Sequence, residues 1–270
     1  MAFQHGVRVS EQATSLVAPV LGTAGLQVVF GTAPVNLAED PYSVTNTPVI
    51  AYSWSEAVKK LGYSPDYAKY TLCQSMYASF QLIGVAPVVF VNVLDPKKHK
   101  QKIEAQTVTV EDLEATVPLT GLLLDTVKIT APAPATDGGS EDGEDSSDPE
   151  TVPTPVLLER DADYLLSFDD DGQVLITLTA AGAGATADTV EGTAIDPDAV
   201  DAGDIIGVSA TGGEKGFEVL RQVYPRLGMT PGLILAPGWS HIPDVGIVMA
   251  AKTEEINGYF RCEGFIDIDS

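Results

Sequence analysis

The chain has 270 residues, 44% of them hydrophobic, and carries 38 acidic against 15 basic side chains, a formal net charge of −23. That size and apolar content allow one large domain or two with a substantial core. The charge excludes phosphate-backbone binding, which needs clustered Lys and Arg to displace counterions.

Residues 1–24 alternate weakly, Val7, Val9 and Ala13 against Arg8, Ser10 and Glu11. They offer too little apolar surface to stand alone and predict an arm that lies on another surface. Leu26-Gln27-Val28-Val29-Phe30-Gly31, closed by Pro34, predicts a buried strand. Ser53 or Ser55 opens a short helix through Leu61, and a second helix is expected over 66–82 with Leu72, Met76 and Phe80 on one face. Residues 86–93 predict the next buried strand. The core then resumes with a helix over 216–227, a strand over 232–236, a helix over 242–256 with Ser240 as candidate N-cap and Pro243 in the first turn, and a strand over 259–268. Strands alternating with helices predict an α/β core covered on both faces of its sheet.

A different pattern interrupts that core. From Glu104 to Gly207 there are 24 acidic residues and two basic ones, Lys128 and Arg160, so this segment holds −22 of the −23. Short β-type runs at 107–110, 122–129, 156–158, 164–168 and 174–178 predict a mostly-β domain over 104–207 inserted between core segments 25–103 and 208–270. Residues 131–155, rich in Pro, Gly, Ser and acid, are expected to form a mobile solvated loop. Lys97, Lys98, Lys100 and Lys102 beside His99 read as a solvated domain junction.

Little in the chain points to chemistry. Asp169-Asp170-Asp171-Gly172 lacks the alternating ligands and helical flanks of a calcium loop and predicts a hairpin turn. Ser240, His241 and Asp244 lie close together but without a Gly-x-Ser-x-Gly elbow, which reads as a helix start. His5 and His99 have no evident partner. The glycines of 182–186 and 203–207 predict turns, not phosphate loops. Cys73 and Cys262 fit no metal or redox spacing and are expected to be buried free thiols. No stretch approaches the roughly 18 apolar residues of a membrane span, and no signal core follows the N-terminus. The expectation is a soluble, non-enzymatic chain made in a cytoplasm, with no catalytic, cofactor-binding or metal residues.

Four stretches together resemble the tail sheath proteins of contractile bacteriophages. They are His5-Gly-Val-Arg-Val-Ser-Glu11 leading to Gly25–Pro34, Tyr164–Gly172 with the strand behind it, Asp204–Gly207 followed by Gly216-Phe-Glu-Val-Leu220 and Tyr224–Gly228, and Pro231–Gly238 leading to Gly264–Asp269. The resemblance implies a sheath-type α/β core, subtilisin-like in fold only, with an inserted mostly-β domain and an extended N-terminal arm. It implies a structural subunit that polymerises helically around a tail tube and contracts to drive the tube through the host envelope. The implied partners are further copies of the chain, the tail tube protein, and baseplate and tail terminator proteins. No nucleic acid, membrane insertion, catalytic residue or cofactor is implied. The implied location is the virion tail, assembled in the host cytoplasm. In that setting Val7, Arg8, Val9, Ser10 and Glu11 are the expected intersubunit strand, added to a neighbour's sheet. Family members continue past the position of Ser270, so a fragment or a shortened relative is expected. Two other readings stand beside this one: a cell-surface or glycan binding module on an α/β platform, and an α/β hydrolase-type enzyme.

Overall fold

The computed structural model describes residues 25–132, 155–180, 187–210 and 213–268, and the chain forms a mixed α/β structure with several sheets. The arm residues Val7–Glu11, most of the 131–155 loop and the glycines of 182–186 lie outside the described residues.

In the first part of the chain come β1 (Gln27–Gly31), β2 (Pro48–Ala51), α1 (Trp54–Leu61), α2 (Thr71–Tyr77) and β3 (Val88–Asn92). The Ser53 hydroxyl caps α1 by accepting from the Glu56 N–H, and the Lys60–Glu56 ion pair supports its exposed side. The second helix starts later than its periodicity suggests, because Pro65 to Tyr70 form turns; past Tyr77 it widens into a π-type segment over Ala78–Ile83. Leu72 and Met76 are buried, and Phe80 packs at the margin.

Between β3 and the return to the core come β4 (Lys100–Thr109), β5 (Glu114–Thr120), β6 (Lys128–Ala131), β7 (Val156–Leu157), β8 (Tyr164–Phe168), β9 (Gln173–Leu178) and β10 (Ala187–Ile195). They make two antiparallel sheets, ordered β4-β10-β6-β7 and β5-β9-β8. One hydrophobic cluster fills the space between them, with Val117, Ile129, Tyr164, Val174 and Ile176 buried. The run 122–129, expected as one strand, is instead a 3-10 turn at Leu124–Thr126 followed by β6. The cause is that Leu122 belongs to this cluster while Leu123 belongs to the core of the larger sheet. Asp169–Gly172 forms the expected hairpin turn: Asp169 Oδ1 accepts from the Asp171 and Gln173 N–H groups, and Gly172 takes φ 76°.

The chain returns through α3 (Ala202–Ile206), a small hairpin of β11 (Ser209–Ala210) and β12 (Gly213–Glu214), α4 (Leu220–Leu227), β13 (Leu233–Leu235), α5 (Pro243–Glu254) and β14 (Glu263–Phe265). Segment 203–207 is thus a helix and not a turn, because Asp201 and Asp204 form a capping box. The final strand has three residues, not the expected ten.

The larger sheet has the order β14-β13-β1-β3-β2, parallel except for β2, which runs against β3. β1 sits between two parallel neighbours with Val28, Val29 and Phe30 fully buried, which is why its sequence is continuously apolar. Phe30 meets the Phe217 ring edge-on at 4.9 Å, tying the sheet to the layer built after the β insertion.

Candidate assembly surfaces

In an open parallel sheet, ligands bind outside the strand ends where successive connections turn opposite ways. Here that point lies between β1 and β13, and its residues close it. Thr32 Oγ1 donates to the Lys69 carbonyl and accepts from the Thr71 N–H, while Thr71 Oγ1 accepts from the Thr32 N–H. Asn92 Oδ1 accepts from the Ala33 and Leu94 N–H groups, joining the ends of β1 and β3. The Thr71 side chain occupies the space a Cβ at Gly31 would need, 2.3 Å away, and touches the corresponding position at Gly238. The crevice is filled by hydroxyl and amide groups already satisfied within the chain.

Ser240, His241 and Asp244 are not brought together as a reacting group. Ser240 is buried and its hydroxyl accepts from the Asp267 N–H at 2.8 Å, while Asp267 in turn accepts from the Gly238 N–H. Ser240 therefore does not cap α5: the N-cap is Ile242, and Ser240 anchors the segment after β14 instead. His241 and Asp244 are exposed. Replacing Ser240 with alanine is expected to lower stability by about 1 kcal/mol, the value of one buried hydrogen bond, measured by chemical denaturation. Covalent labelling of Ser240 by an activated-serine probe would contradict this assignment. Burial pushes the Cys73 thiol up to about 12 and that of the half-buried Cys262 to about 11, so both are poor nucleophiles.

The basic run at the junction is less solvated than its composition suggests. His99, expected to lack a partner, is buried; its Nδ1 accepts from the Asp95 N–H at 2.9 Å, which leaves Nε2–H to donate to Asp204 Oδ2 at 3.0 Å. Lys98 bonds the other oxygen of Asp204 at 2.5 Å. Burial alone would raise the Asp204 carboxyl, but the Lys98 and Asp201 hydrogen bonds outweigh it and hold the group below the usual aspartate range. The same hydrogen bond raises Lys98. This clasp closes the place where the chain leaves and rejoins the core, for Lys100 pairs with Ile195 and the Asp196 N–H donates to the His99 carbonyl. The spacing Asp201-x-x-Asp204 before an apolar pair was the available sequence signal. A second tie is Tyr42, whose hydroxyl donates to Asp125 at 2.8 Å while Lys97 lies over its ring; burial and that carboxylate push the phenol up to about 12.

Two surfaces remain unsatisfied, one at each edge of the larger sheet. At the β2 side an aromatic group gathers: Trp54 packs on Tyr63 at 4.6 Å and on Tyr77 at 6.2 Å, and the Tyr63 and Tyr67 hydroxyls share a hydrogen bond. Beyond it the end of the π-type segment leaves Leu82 and Ile83 about two-thirds exposed, at 67% and 71%. At the other edge β14 has one unpaired side, and Phe265, Ile266, Ile268 and Ile247 of α5 are all exposed. Among the described residues no group of His, Cys, Asp and Glu is arranged to hold a metal, and no helix is long and apolar enough to cross a membrane.

These surfaces and a filled crevice describe a chain built for contact, and similarity points the same way. The chain is 27% identical over 260 residues to the tail sheath protein of Burkholderia phage BcepMu. The match covers 94% of this chain and 47% of the relative, so the chain spans about half the length of the curated relative it matches. No family model matches the chain.

Proposed function

We propose that this protein is a structural subunit of a phage tail sheath, which polymerises helically around a tail tube and contracts to drive it through the host envelope. The similarity to a tail sheath protein across nearly the whole chain carries this reading. The self-satisfied crevice between β1 and β13 supports it, because a subunit of a sheath needs edges and faces for neighbours and not a cavity for substrate. Its partners are further copies of itself, a tail tube protein, and baseplate and terminator proteins at the two ends, in the virion tail assembled in the host cytoplasm. The acidic β unit faces outward, where like charge keeps neighbouring polymers apart. Val7, Arg8, Val9, Ser10 and Glu11 supply the strand that links one subunit to the next.

The test is negative-stain microscopy of the purified chain with and without residues 2–15. The intact chain is expected to form rings or tubes. The truncated chain should stay folded with an almost unchanged melting temperature and remain monomeric. Normal polymers from the truncated chain would remove the arm from this role, and dispersed particles from the intact chain would remove the sheath reading.

A further inference from the structure

The two exposed apolar surfaces sit at opposite edges of one sheet, and their chemistry is unusual for a chain of charge −23. From Thr71 to Leu94 there is no charged residue. The aromatic group flanking that stretch has Asp66 and Lys69 at its rim, and these face each other at 4.0 Å. Two copies of so acidic a chain repel unless they meet through a surface free of charge. Tyr and Trp in a partly desolvated cluster are also the residues that dominate contact energies between proteins.

We propose that the face formed by Tyr52, Trp54, Tyr77, Leu82 and Ile83 docks against the side formed by Ile247, Phe265, Ile266 and Ile268 of a second copy of this chain. The occupant is a second copy because the opposite edge of the same sheet offers the matching apolar surface. A contact between unlike edges leaves one of each free on every pair, so it propagates. Pairing of the aromatic face with itself would close a dimer and stop. The inference rests on the sheath reading, which requires open-ended growth, and adds which surfaces meet.

Sedimentation velocity on the full chain tests it with two doubly substituted variants, Leu82→Glu with Ile83→Glu, and Ile247→Glu with Ile268→Glu. All four positions are at least two-thirds exposed, so melting curves should match the parent. Each variant alone is expected to weaken self-association by roughly 100-fold, because a charge buried at an apolar contact is left unpaired. Mixed in equal amounts they should form dimers and nothing larger, since one intact face remains on each. Were the glutamates to disturb folding, serine at Leu82 and Ile83 gives the same reading.

Assembly of the first variant at the parent's concentration overturns this inference and leaves the sheath reading standing. Homodimers of the second variant alone show the aromatic face pairing with itself, which also overturns it. A parent chain that stays monomeric, including one that binds another protein through this face, sinks both readings.

Discussion

Replacing Gly207 with alanine is expected to lower stability by more than about 4 kcal/mol and the melting midpoint by about 10 °C or more. Gly207 follows α3 with φ 74°, a region L side chains rarely adopt, and a Cβ there would stand 1.8 Å from the Lys215 carbonyl oxygen. The obstacle is backbone, so no rotamer relieves it. Gly216 is its counterpart, with φ 55° and a Cβ position 2.4 Å from the Ile205 carbonyl. The two glycines let the end of α3 lie against the segment leading to α4. Gly228 gives the control: its φ is 68°, but nothing lies within 4 Å of its Cβ position, so alanine there should cost only about 1 kcal/mol. Equal losses at Gly207 and Gly228, measured by urea denaturation, would show that close approach is not what selects glycine at 207.

Asp204→Ala should be the next most damaging of these changes, at about 3 kcal/mol, the scale for breaking a largely buried charged pair by removing one partner. It strips the acceptor from His99 Nε2 and Lys98 and removes half of the α3 capping box. The sign of the pH dependence follows from the shifts. Asp204 is lowered in the folded chain, so its stabilisation is complete above the ordinary aspartate range, about 4, and is lost as pH falls through the lowered folded value. Lys98 is raised, so its share is present below the ordinary lysine range and is lost as pH rises through the raised folded value. The parent and Asp204→Ala should therefore differ most between these limits and converge towards strong acid. A gap that stays constant down to pH 2 would mean that Asp204 acts through packing and not through charge.

The elements that sequence reasoning located were those whose side chains alone carry the pattern. β1, β3 and β13 are continuous apolar runs between parallel neighbours, and α1 announces itself through Ser53 and its spaced apolar residues. β5 and β10 gave no such signal. β5 contains Pro118 where its pairing with β9 shifts register, and β10 runs Ala-Asp-Thr-Val-Glu-Gly-Thr-Ala-Ile with a register shift at Val190–Gly192. Both are strands because a partner offers backbone hydrogen bonds along their length, which no local window of side chains records. The clasp was hidden for a similar reason: His99 and Asp204 are 105 positions apart, and only closure of the β unit on itself brings them within 3.0 Å. The residues of the unsatisfied faces were visible as apolar, but exposure is a property of the fold, so Leu82 read as an inward helix position and is in fact outward.

The arrangement at the neck also makes this position a socket. The chain departs at Lys100 and returns at Ile195, residues paired side by side in antiparallel strands, which sets their Cα atoms about 5 Å apart. Everything that holds the two ends together, from the Asp196–His99 backbone bond to the Asp204 clasp, lies on the core side of that pair. The core therefore asks of the inserted segment only that its two termini meet. Any compact unit with adjoining ends could be seated there, and the size or charge of what a tail displays could vary without altering the sheet beneath.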